Sequence, residues 1–500
     1  MKTLCLLLAA ASLALAQTQP AHSPADSPDD PARELDPYLK QFVNVLTTLD
    51  ANSADPLPAE KTIYEGAIPS MLRQLDPHTQ FFDPGQFQQL KQMQDSEQKG
   101  FGSVVSVLPG QVIFLQTFPG TPSNKAGIQA GDELVAINNI AIQSLDPNQI
   151  VELLTEARQQ KITAFIRRQG YSRPFQFTLT PELVDSPSVD RAFLLKPGYA
   201  YIRVASWDLQ TAKLLHEAIE KLSPDHLQGL VIDLRNNPGG IVKAALDAAS
   251  MFLEPGQRIL TARGRSKEVD SADVPRNAQP YHFALSLIVN EKTASASEIL
   301  AAALQDHDRA TIVGEATYGK GLVQSVMPLS GGAGLAITTA FYYTPSGRTI
   351  QKPLRNSALS ETFAEKPSLP TFKTDKGRTV TGGGGIQPDI LVTPAQLTRL
   401  ESILDGSGLM TAFATHYLAG HSPLPDHFEV TSDLLDELKV ELAVRSIQPS
   451  AGEWIEESRW LKSRLKEEIV TQAFGVSKGD EVLAQRDPQV QAALQALTGK

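Results

Sequence analysis

The sequence predicts a multidomain α/β protein in which a β-rich module precedes an α/β core, with helical regions at both ends. Three observations predict this. From about Ala192 to Thr393, strand-like runs alternate with helical ones. Between Gln98 and Pro181 the runs are short, β-type and broken by turn residues. Outside those stretches, apolar residues recur at helical spacing. The chain has 500 residues, which at ~100–200 residues per domain gives roughly three to five units.

Met1-Lys2-Thr3, the apolar run Leu4–Leu15 and Ala14-Leu15-Ala16 read as a secretory signal peptide over 1–16. Cleavage after Ala16 would remove Cys5, the single cysteine, so a disulfide scaffold, a cysteine metal site and a cysteine nucleophile are all excluded. Residues 17–35 are rich in Pro, Ser and Asp and read as a disordered leader. Residues 36–96 form a helical region with Phe42, Val45, Leu46 and Leu49 on its apolar side, interrupted by the turn-rich Leu75-Asp76-Pro77-His78.

The β-rich module spans 97–185, with strands at Ser103–Leu108, Val112–Thr117, Glu133–Ile137 and Ile162–Arg167 and one helix at Pro147–Ala157. The α/β core spans 186–394. There Ala200–Val204 precedes helix Asp208–Leu222, and Gly229–Leu234 precedes helix Gly240–Phe252. Leu285–Val289 then precedes helix Ser295–Gln305, and Ala310–Val313 begins a further strand region. Residues 395–500 are helical, most clearly at Leu434–Val444 and Trp460–Phe474. No later run approaches the ~20 apolar residues of a membrane helix. The expectation is an exported protein, periplasmic or secreted, with no transmembrane anchor after signal cleavage.

The 56 acidic residues outnumber the 45 basic ones, for a net charge of −11, which argues against nucleic-acid binding. The nine histidines show no metal-ligand spacing, so neither a metal nor any other cofactor is expected. Gly314–Gly321 nearly matches a phosphate loop, but Gly321 replaces the magnesium-binding hydroxyl and a strand follows. Gly475-Val-Ser477-Lys-Gly479 has the esterase elbow pattern without a preceding strand or a later histidine. Ser96-Glu-Gln-Lys99 and Ser463-Arg-Leu-Lys466 read as solvated helix faces, and His307 as a helix-end residue.

What survives is distributed along the core. Thr293-Ala294-Ser295-Ala296-Ser297-Glu298 lies where a strand gives way to a helix, Lys320 follows 25 residues after Ser295 between two glycines, and Asp233–Gly240 forms another strand-to-helix turn. A serine at a helix start is accessible and lies in positive potential. A lysine flanked by glycines can be approached and desolvated by backbone, and the amides of Gly239 and Gly240 can hold an oxyanion. The residues alone leave open a plainer alternative, in which the serines cap a core helix and Lys320 is an ordinary surface residue.

Six ordered segments resemble the carboxyl-terminal processing proteases (tail-specific proteases, peptidase family S41). These segments are Leu75-Asp76-Pro77-His78-Thr79, Gly120–Asp132, Asp233–Gly240, Thr293–His307, Gly314–Gln324, and Tyr342–Gln351 with Gly385–Ile390. The resemblance covers about residues 60 to 393. It implies a PDZ module ahead of a serine protease core of ClpP/crotonase type. It further implies Ser295 as nucleophile, Lys320 as general base, and Gln324 as the residue that orients Lys320. Gly239 or Gly240 and Ala296 would supply the oxyanion amides, and Gly100-Phe101-Gly102-Ser103 the loop that takes a substrate carboxylate. The implied substrates are proteins or peptides with a free C-terminus, and the candidate partners are a second copy or an activating adaptor. A PDZ adaptor without catalysis and a crotonase-like acyl hydrolase are the rival readings.

Two departures stand out. Thr155-Glu156 occupies the place where the family often has Arg-Gly, and Asn290-Glu291-Lys292 precedes the nucleophile segment in place of smaller residues. A lysine base also carries a physical demand. Its ordinary pKa of ~10.4 must fall to ~7–8, a shift of roughly 3 units. Lys320 is therefore expected to be buried from water in the active form, against Ser295 and Gln324.

Overall fold

The computed structural model describes residues 31–94, 97–265, 269–354 and 369–499; the expected signal peptide and most of the expected leader lie outside them. From Pro31 the chain is helical to Asn52, so a helix begins inside the segment expected to be leader. The described residues fall into two units. One takes those of Met1–Gln89, Leu322–Ala340 and Pro353–Pro367, and the other those of Leu90–Gly321, Phe341–Lys352 and Ser368–Lys500.

The second unit is built on a six-stranded sheet. Its order is Val189–Lys196, Tyr199–Val204, Gly229–Asp233, Ala284–Val289, Ala310–Gly314 and Ile390–Leu391. The first pair is antiparallel and the rest are parallel. Parallel strands covered on both faces are continuously apolar, because neither face meets water. Gly229–Asp233 is buried at every position. One face is covered by the helices that connect the strands, among them Thr211–Lys221, Val242–Ala249 and Ala296–Asp306. The other face carries Val231, Ile288 and Val313, which pack against Ala484, Val490, Ala493 and Leu494 from the end of the chain. The two terminal helices, Val476–Ala484 and Pro488–Thr498, thus complete the core rather than form a separate appendage.

The β-rich module has the expected strands, with Ser103–Leu108, Glu133–Ile137, Ile162–Arg167 and helix Pro147–Ala157 matching the sequence reading residue for residue. Its antiparallel sheet closes on a core of Val112, Phe114, Ile137, Ile150 and Ile166. Glu97–Gly100 and Glu182–Asp185 pair as an antiparallel ribbon at the module's entry and exit. The remaining C-terminal helices pack on one another through Leu404, Phe413, Leu438, Leu461 and Leu465.

In the first unit, Gln80–Phe82 pairs antiparallel with Gly334–Ala336, a short strand absent from the sequence reading. No helix among the described residues is long and apolar enough to cross a membrane.

Candidate active site

Ser295 sits between the strand Ala284–Val289 and the fully buried helix Ala296–Asp306. Its backbone is left-handed, φ 55° and ψ −115°, a conformation that costs a non-glycine residue about 1–3 kcal/mol. The surroundings over-determine it. Ala294 N–H donates to the Asn237 carbonyl (3.0 Å), Thr293 Oγ1 donates to the Leu234 carbonyl (2.8 Å), and Ser295 N–H donates to Glu298 Oε2 (2.9 Å). The sharp turn lifts the serine out of the strand at the head of the helix, half-buried.

Glu298 is the organising side chain. It is fully buried, and its Oε2 accepts from the amides of both Ser295 and Lys320, each at 2.9 Å. Its Oε1 accepts from Gly319 N–H (2.7 Å) and the Thr317 hydroxyl. Burial pushes this carboxyl above its ordinary value, and the four donors pull against that shift. From the far side, Lys352 N–H donates to the Gly319 carbonyl (3.0 Å), Lys352 Nζ to the Thr317 carbonyl (2.8 Å), and Gly321 N–H to Gln351 Oε1 (2.8 Å). The loop that carries Lys320 is therefore pinned on both sides. Lys320 itself is half-buried, short of the burial expected of it in the active form.

The turn after Gly229–Asp233 brings Gly239 onto the serine. A Cβ at Gly239 would lie 2.8 Å from Ser295 Cβ and 3.1 Å from Ala296 N; one at Gly240 would lie 2.0 Å from the Trp207 carbonyl. Both glycines have positive φ, 98° and 143°, so only glycine fits either place. Gly239 N–H donates to Asn237 Oδ1 (2.9 Å). Gly240 is exposed, and its parallel bridge to Trp207 uses the Gly239 carbonyl and the Ile241 amide. Ser297 is buried, and its hydroxyl accepts from Trp207 Nε1 (2.8 Å). Asn290, a departure from the family pattern, is used. Its side chain exchanges hydrogen bonds with Asn236, at 3.0 and 3.1 Å.

Gln324 belongs to the first unit, where its Nε2 donates to the His78 carbonyl. That carbonyl is shaped by buried Asp76, whose Oδ1 accepts from the amides of His78 (2.7 Å) and Thr79 (2.9 Å) and whose Oδ2 accepts from the Thr79 hydroxyl (2.7 Å). Burial works to raise the Asp76 carboxyl, but the hydrogen bonds it accepts, led by the Thr79 hydroxyl and the His78 amide, together outweigh it and hold the group below its ordinary 3.8. A folded value below the unfolded one stabilises above the ordinary value, and that stability is lost as the pH falls through the folded value. Asp76→Asn is expected to cost about 1–2 kcal/mol at pH 7. Its deficit against wild type, followed by denaturant melts, should close as the pH drops below 3.8. A deficit constant across the acid range contradicts this.

His307 ends the Ala296–Asp306 helix with Nδ1 at Asp375 Oδ2 (2.7 Å) and Nε2 at the Arg258 carbonyl (2.7 Å), a structural role as read. In the β-rich module, the carbonyl of Phe101 accepts from Ser123 N–H (2.9 Å) and that of Gly102 from Phe118 N–H (2.9 Å). Gly102 has φ +70°, and a Cβ there would strike Thr121 at 2.2 Å. Gly100 to Ser103 thus make a tight connection in which the Phe101 and Gly102 carbonyls point inward. Among the described residues no acidic or histidine cluster is able to hold a metal ion.

The profile of peptidase family S41 matches residues 198–355, and a PDZ domain profile matches residues 119–168. The chain is 35% identical over 294 residues to the carboxyl-terminal-processing protease of Synechocystis sp., covering 57% of this chain and 68% of that one. It is 32% identical over 299 residues to the carboxy-terminal-processing protease of Bartonella bacilliformis, covering 59% and 68%. It is 34% identical over 316 residues to a chloroplastic C-terminal processing peptidase of Tetradesmus obliquus, covering 60% and 68%. With its PDZ domain ahead of an α/β core that matches the S41 profile, the chain belongs to the carboxyl-terminal processing proteases of peptidase family S41 and is a serine-type peptidase.

Proposed function

We propose that the protein is an exported endopeptidase that cuts proteins near their C-termini with a Ser295/Lys320 dyad. The observation that carries this is the single buried oxygen of Glu298 that holds the amides of Ser295 and Lys320 together. In this reading neutral Lys320 takes the proton of Ser295 Oγ as the oxygen attacks the scissile carbonyl. The resemblance to the family assigns Gln324 the orienting of the amine. The developing oxyanion is held by the amide of Ala296 and that of Gly240, since Gly239 has its own amide engaged by Asn237. The lysine ammonium then protonates the leaving amine, and water, deprotonated by the same lysine, hydrolyses the acyl-enzyme. Bound substrate completes the desolvation of the half-buried lysine and so favours its neutral form.

The loop Gly100–Ser103 takes the substrate's terminal carboxylate on its amides, while the peptide adds as a strand beside Ser103–Leu108. What supports this is the inward direction of the Phe101 and Gly102 carbonyls, which leaves the loop amides to face a ligand. Export rests on the N-terminal signal sequence. The test uses the protein from residue 17 onward with an unstructured protein substrate, in free-acid and C-terminally amidated forms, and mass spectrometry of the fragments. Cleavage near the C-terminus, reduced about tenfold or more by amidation through loss of a charge-assisted carboxylate site, is the expected result. Equal turnover of both forms removes the PDZ capture step, and thioester hydrolysis without peptide cleavage favours the acyl hydrolase instead.

A further inference from the structure

We propose that Asp487 and Gln489, at the head of the last helix, are positioning residues for the oxyanion turn and act through Arg235. The proposal rests on the reading above, in which Ser295 is the nucleophile and residues 236–240 present the oxyanion amide.

Arg235 stands at the C-terminal end of the central strand, one residue before that turn. Its Nε and Nη2 donate to the buried Asp233 carboxylate, while Nη1 donates to Asp487 Oδ2 (2.7 Å) and Gln489 Oε1 (2.9 Å). Asp233 in turn accepts Arg235 N–H (2.9 Å) and the Tyr201 hydroxyl (2.7 Å). A bidentate carboxylate alone leaves a guanidinium free to rock about the shared axis; a third contact on the opposite nitrogen fixes its plane. That third contact comes from the end of the chain. On either side of Arg235 the backbone is stitched to the nucleophile loop, through the Leu234 carbonyl to Thr293 Oγ1 and through Asn236 to Asn290. Displacement of Arg235 is therefore transmitted to the segment that presents Gly239 and Gly240 to Ser295.

The same contacts are not needed to seat the helix. Val490, Ala493 and Leu494 pack on Val231, Ile288 and Val313, and Gln489 Nε2 donates to the Val392 carbonyl (2.7 Å). The neighbouring helix is tied separately by Asp480 to Arg191 and Arg203. Asp487 divides its two oxygens: Oδ1 caps the helix by accepting from Gln489 N–H (2.9 Å) and Val490 N–H (3.1 Å), and Oδ2 faces Arg235. Asp487→Asn keeps a competent cap while it replaces the arginine-facing oxygen with an amide that cannot accept.

The experiment measures kcat, KM and melting temperature for full-length wild type, Asp487→Asn, Asp487→Glu and Ser295→Ala on one unstructured substrate, together with inhibition by a peptide aldehyde. The aldehyde's hemiacetal oxygen occupies the oxyanion position, so its affinity reads that position directly. The expected result for Asp487→Asn is a fall in kcat of about tenfold with KM changed by less than about twofold, and an aldehyde affinity weakened by the same factor as kcat. Asp487→Glu should recover most of the loss. An Asp487→Asn enzyme with wild-type kcat, or one whose loss follows a lowered melting temperature while aldehyde affinity relative to substrate is unchanged, overturns the proposal alone. Cleavage that survives Ser295→Ala overturns the underlying site reading and the proposal with it.

Discussion

Ser295→Ala is expected to lower kcat on an unstructured protein by on the order of 10⁴ or more while the circular dichroism spectrum stays that of wild type. The substitution removes one oxygen at the head of a buried helix whose backbone geometry is held by others, namely the Asn237 carbonyl and the Glu298 carboxylate. Lys320→Ala should cost a similar factor, because a serine hydroxyl without a base is a weak nucleophile. The double variant should be scarcely worse than either single one, since groups that act as a unit are non-additive. Wild-type activity should rise with pH as the lysine loses its proton, and that rise should vanish in Lys320→Ala. Stopped assays with gel and mass-spectrometric detection resolve all three variants. Proteolysis retained in either single variant moves the nucleophile or the base to another residue.

The second large effect is expected at Glu298. Glu298→Ala leaves the amides of Ser295, Gly319 and Lys320 and the Thr317 hydroxyl facing a void, where Glu298 carries four hydrogen bonds at full burial. An unsatisfied buried donor costs ~1–3 kcal/mol, so a loss of about 3–5 kcal/mol in unfolding free energy is expected after partial relaxation. Activity should fall at least ~10²-fold, because the loops that carry Ser295 and Lys320, the proposed dyad, lose their common anchor and a misplacement of about 1 Å has that consequence. Glu298→Gln separates the two effects. It preserves volume and one acceptor oxygen but points an NH₂ at two of the donors, so it should recover part of the stability and little of the activity. Denaturant melts beside steady-state kinetics measure both; Glu298→Gln with full activity would show that the shared carboxylate is not what aligns the dyad.

These effects differ in how far the sequence foretold them. Ser295 and Lys320 stood out as candidates by their settings, a serine at a strand-to-helix turn and a lysine between glycines, and the roles proposed for them came from the resemblance to the S41 family. Glu298 was half legible. Its place three residues after Ser295 is a capping-box pattern, which accounts for the bond to Ser295 N–H. Its reach across 22 positions to Lys320 N–H is a long-range fact with no local signal. Asp76 and His78 were visible as a motif, but their part in holding Gln324 Nε2 joins residues 246 positions apart. The half-buried state of Lys320 falls short of the burial expected in the active form, since burial depends on what chain, or what ligand, folds over a site.

Periodicity, turn residues and short motifs are local properties, and they were enough to determine the α/β class, the β-rich module with the limits of three of its strands and of its helix, and the glycines of the turn, and to single out Ser295 and Lys320 as candidates. Tertiary structure decided everything that depends on segments distant in sequence meeting in space. It placed Gly239 against Ser295, gave Glu298 its second loop, and brought the last two helices onto the open face of the sheet, with Asp487 against Arg235. The helical tail could not be read from sequence because apolar spacing specifies that a helix has a buried side without specifying what buries it. That partner is chosen by the whole fold, here the otherwise uncovered strands of the catalytic core.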